Sequence, residues 1–278
     1  MRTVALGLES SQFSIGQSGD DLDQAVALAK DLGLGFEIWE FAVPPALNDE
    51  QEYSRLVDRY AAILPHLQEY KSMHGPFMEM TPHSRDSAIV GVVSRRVDRA
   101  METADEIGCD AVVFHTGMSS HMQIPRYIDS VLSRQVDFWS GVLSRHGRTS
   151  VLLENMWEHD PAILGKIVER VGDSRLGVCV DVGHAHIHSS SGPAEWISDL
   201  APHVRHMHWS DNDGVVDGHL PVGSGSIDWD EVVHSANSLE QRVQVVLEVK
   251  SLDAARASME FLRNTYSVQF REDTQSAT

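Results

Sequence analysis

The feature that most constrains this chain is a recurrence. A short apolar run meets an ionisable residue at or near its C-terminal end, and a stretch with helical spacing follows. Across 278 residues this happens eight times. The runs are 3–8 closing on Glu9, 36–41 with Glu40, 71–77 with His74, and 111–114 closing on His115. They continue with 150–153 closing on Glu154, 176–180 closing on Asp181, 204–209 with His208, and 243–247 closing on Glu248. Between and after them, apolar residues spaced three and four apart predict helices at 21–34, 49–70, 86–107, 125–146, 161–171, 193–200, 228–239 and 253–263.

Alternating strand and helix units require parallel strands, because each helix carries the chain back to the sheet's starting edge. Eight units in a chain of this length predict an α/β fold: one (β/α)8 TIM barrel over residues 1–268, with 269–278 as a polar C-terminal tail. An open doubly wound sheet is the competitor. It is disfavoured because no GxGxxG follows the first run, and because polar residues close nearly every strand rather than one switch point.

Composition narrows the function classes. The formal net charge of −19 disfavours a nucleic-acid partner without excluding one. Cys109 and Cys179 are the only cysteines, with no CxxC spacing, so neither a disulfide framework nor a thiolate metal cage is expected. No apolar run is long enough to span a bilayer, and the N-terminus has no signal-peptide pattern. The expectation is a cytoplasmic protein with no membrane partner, with a homodimer as a possible assembly.

In such a barrel every strand's C-terminal end faces one mouth, where chemistry is placed. Reading those ends gathers His74, His115, Glu154, Asp181, His184, His208 and Glu248, and the Gly-rich loop after the seventh run adds Asp217 and His219. Burying so many ionisable groups together is tolerable when they share cations. The donors are nitrogen and carboxylate oxygen, which suits Zn, Mn, Fe or Co. Four carboxylates and five imidazoles exceed the needs of one ion, so two or three ions with a bridging carboxylate are expected. Taken singly, each histidine is more often a hydrogen-bonded structural residue; their matching topological positions carry the metal reading. His206 lies a layer deeper than His208 and is expected behind the ligands or in the core. His66, His83, His121, His146, His186 and His188 have no strand-end placement and are expected on the surface or in loops. Glu9, Glu40, Trp157, Asp211 and Lys250 are candidate substrate contacts, Trp157 by stacking on a sugar face and Lys250 by meeting a phosphate.

The segments 74–76, 114–117, 153–155, 179–185, 208–211, 217–225 and 247–248 together resemble the xylose isomerase-like barrel superfamily, which unites sugar isomerases and epimerases with abasic-site nucleases of the endonuclease IV type. The resemblance implies a Glu, Asp, His, Glu metal quartet at Glu154, Asp181, His208 and Glu248. It also implies Glu154 and Glu248 as the acid/base pair acting on a small sugar or sugar phosphate, with Zn or Mn as the metal and one to three ions in all. In the nuclease branch all nine positions hold three zinc ions for phosphodiester hydrolysis, and this chain has all nine residue types. It departs from the nuclease pattern at 155–159, where a small Gly-rich run is replaced by Asn-Met-Trp-Glu-His, and at 209–213, which lacks the nuclease Lys. The resemblance therefore implies an isomerase or epimerase first, with a multinuclear phosphodiesterase, lyase or other hydrolase as the alternative.

Overall fold

The structure, a computed structural model, describes residues 5–9, 19–67, 69–119, 124–266 and 268, with side chains from residue 22 onward. Eight parallel strands close on themselves, each paired to the next and β8 to β1. They are β1 (Ala5–Glu9), β2 (Gly35–Ile38), β3 (Lys71–His74), β4 (Ala111–His115), β5 (Ser150–Glu154), β6 (Leu176–Asp181), β7 (Val204–Trp209) and β8 (Gln244–Leu247). The helices surround them: α1 (Gly19–Leu32), α2 (Glu50–Ile63), α3 (Ser87–Ile107), α4 (Pro125–Arg145), α5 (Ala162–Val171), α6 (Val182–His188), α7 (Pro193–Asp199), α8 (Trp229–Ser238) and α9 (Leu252–Tyr266). No helix among the described residues is long and apolar enough to cross a membrane. The tail 269–278, His121 and the side chain of Glu9 lie outside the described residues.

The predicted helices form because their ends are capped as well as amphipathic. Asp49 accepts from the backbone N–H groups of Gln51 and Glu52 at the start of α2, and Asp86 and Asp228 cap α3 and α8 in the same way. Helix α2 stops at Ile63, and Pro65 falls in a 3-10 turn after it. The buried face of α3 (Val93, Val97, Ala100, Met101, Ala104) packs into the main apolar layer between barrel wall and helices.

His83 and His146 lie in loops, as expected, but neither is on the surface. His83 meets Gln135 Nε2 (3.3 Å), His146 Nε2 meets Asp98 Oδ1 (2.9 Å), and both are buried in the helix layer. Helix α6 was also unforeseen. It starts where Asp181 turns its carboxylate to accept from His184 N (2.6 Å), so a residue closing a strand also opens a helix.

Strand alternation sets the barrel interior in layers. The upper layer holds His74, His115, Glu154, Asp181 and His208, and β-register puts His115 beside Glu154 and Asp181 beside His208. One residue pair lower along the same faces stand Ser72, Val113, Leu152, Cys179 and His206. The polar residues thus lie within the barrel, away from the apolar shell.

Gly117, two residues past His115, has φ +64°, and a Cβ there would run into the carbonyl oxygen of Met80. Gly117→Ala is expected to destabilise the protein by about 1–3 kcal/mol from left-handed backbone strain alone, read as a lower urea midpoint. An unchanged midpoint would mean the loop after β4 relaxes freely.

Candidate metal centre

Glu154 is the hub. One carboxylate oxygen, Oε2, faces His74 Nε2 (3.2 Å) and His115 Nε2 (3.1 Å). The other, Oε1, faces His184 Nδ1 (3.3 Å) and His208 Nδ1 (3.4 Å). His208 Nδ1 also meets Glu248 Oε2 (3.1 Å) and lies 3.9 Å from Asp181 Oδ2. Donor atoms of His74, His115 and Glu154 lie within 4.8 Å of one another, and so do those of Glu154, Asp181, His208 and Glu248. A third group sits at the loop side: Asp217 Oδ2 is 3.4 Å from His184 Nε2 and 3.1 Å from His219 Nε2. All nine strand-end and loop residues are therefore brought together, with Glu154 common to the first two groups.

The histidines are held in position from outside. His74 Nδ1 donates to Gly75 O (2.8 Å), His184 Nδ1 to Asn155 O (2.9 Å), and His219 Nδ1 to Glu248 O (2.9 Å). A ring nitrogen that donates to a carbonyl leaves the other as a lone pair, here Nε2 aimed into the site. Asn155 also brackets Asp181, accepting from its N–H (2.8 Å) and donating to its carbonyl (2.9 Å).

The buried atoms Asp181 Oδ2, His208 Nδ1, Glu248 Oε2 and Asp217 Oδ1 have no hydrogen-bond partner. Orphaned donors and acceptors in a dry interior are costly; one divalent cation would satisfy Asp181 Oδ2, His208 Nδ1 and Glu248 Oε2 together, while Asp217 Oδ1 belongs to the loop-side group. The residues present therefore fit such an ion. The proton chemistry agrees. Burial disfavours charge on His74, yet the adjacent Glu154 carboxylate outweighs it and lifts the imidazole to about 9. Burial likewise opposes charge on His219, and Glu248 and Asp217 reverse this to about 10. Asp181 is pushed up to about 7, first by burial and then by Glu248 and Glu154. Glu248 is drawn down to about 2, because His208 and His219 outweigh its burial. Without metal the charge of the carboxylates is thus balanced by protons on the imidazoles and on Asp181, which a cation replaces.

The remaining candidates fall differently. Trp157 stands on the loop after β5 with 43% of its surface exposed, and Lys250 is exposed just past β8. Glu40 lies in a 3-10 turn beyond the end of β2 and accepts from Tyr60 O–H (2.6 Å). Asp211 corrects its expected role. It is fully buried and accepts four hydrogen bonds: Asn212 N (2.9 Å) and Ile227 N (3.2 Å) on Oδ1, Gly223 N (3.0 Å) and Trp229 Nε1 (2.7 Å) on Oδ2. With every lone pair used it staples the loop that carries Asp217 and His219, and has no oxygen left for substrate. Asp211→Ala is expected to cost about 1–3 kcal/mol for each donor left dry, seen as a lower melting temperature with weakened cation uptake at Asp217 and His219. Unchanged melting would show that the loop is held by other means.

Strand-end reasoning did not single out Glu37, which lies in mid-strand β2. It is fully buried beneath the centre, 3.1 Å from His206 Nε2 and 2.9 Å from His208 Nε2, and accepts from Ser72 Oγ (2.6 Å). The available signal was a carboxylate flanked by Phe36 and Ile38, on the inward parity of the strand.

A family model described as "Xylose isomerase-like TIM barrel" matches residues 26–265. An uncharacterised protein of Methanocaldococcus jannaschii is 26% identical over 202 residues, covering 69% of this chain and 68% of its own. The crystal structure of a D-tagatose 3-epimerase-like protein superposes with a TM-score of 0.76 at 21% identity, covering 95% of this chain and 98% of that one. A Thermus thermophilus protein, TTHB071, whose crystals were soaked with ZnCl2, superposes with a TM-score of 0.71 at 28% identity, covering 95% and 97%.

Proposed function

Because this chain belongs to the xylose isomerase-like TIM barrel family, we propose that it is a divalent-metal-dependent isomerase or epimerase acting on a small sugar or sugar phosphate. The observation that carries the reading is the placement of Glu154 and Glu248 on either side of His208 Nδ1, at 3.4 and 3.1 Å, with Asp181 completing the quartet. Two carboxylates facing one point can take a proton from a carbon beside a carbonyl and return it to the neighbouring carbon or to the opposite face. A bound divalent ion supplies Lewis-acid polarisation of the substrate's carbonyl oxygen. Glu154, Asp181, His208 and Glu248 would hold it, with His74 and His115 holding a second ion and His184, Asp217 and His219 a third.

Trp157 offers a flat apolar face to a sugar ring, and Lys250 a cation to a phosphate. The name of the D-tagatose 3-epimerase-like structure supports the sugar reading, and the ZnCl2-soaked Thermus thermophilus structure supports zinc, with Mn the other candidate. The buried free thiols of Cys109 and Cys179 accord with a reducing cytoplasm.

One observation favours a second reading. The His184–Asp217–His219 group gives the site the donors for a third cation, which a phosphodiesterase uses and an isomerase does not need. The net charge of −19 weighs against a DNA substrate. The test is a panel of ketoses, aldoses and their phosphates, given to zinc- and manganese-loaded protein beside a duplex carrying one abasic site. Interconversion of a sugar supports the proposal. Strand nicking that is lost in Glu154→Gln, with every sugar unchanged, replaces it with the nuclease.

A further inference from the structure

His208 is the exception among the histidines of the centre. His74, His184 and His219 use Nδ1 to donate to a backbone carbonyl and present Nε2 to the site. His208 presents Nδ1 instead, to Glu248 and Glu154, and its Nε2 points down into the barrel. It also lacks their means of orientation. The carbonyls that hold the other three belong to residues just past strand ends, whereas His208 lies inside β7 with β6 on one side and β8 on the other. The carbonyls around it are committed to the sheet ladder. The group that faces its Nε2 is the carboxylate of Glu37, in an ion-pair contact of 2.9 Å that is not aligned as a hydrogen bond.

We propose that Glu37 is a positioning residue: its buried carboxylate, in ion-pair contact with His208 Nε2, draws the imidazole proton to that nitrogen and so makes Nδ1 the lone pair that completes the Glu154–Asp181–His208–Glu248 quartet. This rests on the metal reading of the site and concerns how the protein builds it. A carboxylate alone in a barrel interior would be strongly disfavoured, and three polar groups surround this one. Ser72 Oγ donates to Oε2 (2.6 Å), and His206 Nε2 and His208 Nε2 stand in ion-pair contact at 3.1 Å from Oε2 and 2.9 Å from Oε1. Ser72, Glu37 and His206 thus form a polar floor under the centre, supplied by three different strands, and His206 has its reason here: it holds Glu37 rather than a metal. A carboxylate also does more than a carbonyl. Its charge makes the imidazole a stronger donor, so the quartet gains affinity as well as geometry.

The test uses the full-length protein, with zinc and cobalt(II) ions as probes. Nitrogen-15 NMR of the histidine rings in the zinc-loaded wild type should show His208 protonated at Nε2 and coordinated through Nδ1, opposite to His74, His184 and His219. The reverse pattern at His208 overturns the proposal without any variant. Chelator competition should show the cation affinity of the quartet falling about 10–100-fold in Glu37→Ala and less in Glu37→Gln, which keeps the acceptor and loses the charge. The His74–His115–Glu154 group should keep its affinity. Unchanged quartet affinity in both variants, each shown to be folded, overturns the proposal. A merely structural role would lower the melting temperature and leave affinity and ring protonation alone. The Cys179 thiol lies near both His206 and His208. A thiolate-to-cobalt charge-transfer band that disappears in Cys179→Ala would put an ion on this floor and overturn the ion-paired arrangement. Failure of the wild type to take up either ion would instead sink the metal reading itself.

Discussion

Glu154→Gln is expected to abolish turnover and to empty two cation sites at once. Each carboxylate oxygen of Glu154 serves a different group, Oε2 the His74–His115 pair and Oε1 the side of His184 and His208. An amide of the same shape has one oxygen, uncharged and so a weak ligand for the set it faces, and its NH2 is turned toward the other set as a donor where an acceptor is required. The loss of proton transfer alone accounts for about 10²–10⁴-fold in rate, and the loss of cations adds to it. Glu248→Gln is the control that gives the result its meaning. Glu248 touches the quartet and not the His74–His115 pair, so this variant should lose a comparable factor in rate while keeping a cation on His74, His115 and Glu154. Metal content measured beside turnover checks both. Full metal content in Glu154→Gln would show that the carboxylate does not bridge.

Stripping the metal should produce the largest change in stability. A folded state that binds a cation absent from the unfolded chain gains about 4.1 kcal/mol at a free concentration a thousandfold above Kd. For a domain of this order each kcal/mol moves the melting temperature by roughly 2–4 °C, so chelation should lower it by roughly 8–16 °C. The gap should also widen with pH. In the metal-free protein His74 at about 9 and His219 at about 10 are raised above an unfolded imidazole. Groups raised in the folded state contribute stability fully below the unfolded pKa, and that contribution is lost as pH climbs through the folded values. Cation binding runs the other way, because its ligands must shed their protons. Metal-free protein should therefore weaken between about pH 6.5 and 10 while the loaded form holds. Melting curves with and without chelator at several pH values check this, and coincident curves would mean that the polar interior stands on its own hydrogen bonds.

Much of this was legible in the sequence, for a physical reason. A parallel barrel makes each strand nearly continuous in apolar residues and puts chemistry at one end, so His115, Glu154 and Asp181 stand out as breaks in hydrophobic runs. Helix limits were read from apolar spacing, and α3 keeps to them because Asp86 caps its start and Gly108, with φ +83°, ends it. What was hidden depends on contacts that no period carries. Glu37 sits where a strand is expected to be apolar, and its partners come from β3 and β7. Asp211 looked like a substrate contact by position, and only its four loop donors reveal a staple. Glu40 followed an apolar run that stops being a strand at Ile38, so the barrel wall does not aim it at the centre.

Proton transfer at carbon by Glu154 and Glu248 should leave its mark as solvent hydrogen exchange. Metal-loaded protein would be incubated in deuterium oxide with the ketose, aldose and sugar-phosphate panel, and the recovered sugars examined by NMR. Deuterium is expected at one carbon-bound position of a converted sugar, and none with Glu248→Gln. Conversion without solvent deuterium would contradict the proton-transfer mechanism if dilution of labelled substrate hydrogen is also absent. Full metal occupancy with no exchange on any sugar, together with nicking of an abasic-site duplex, would contradict the sugar chemistry altogether.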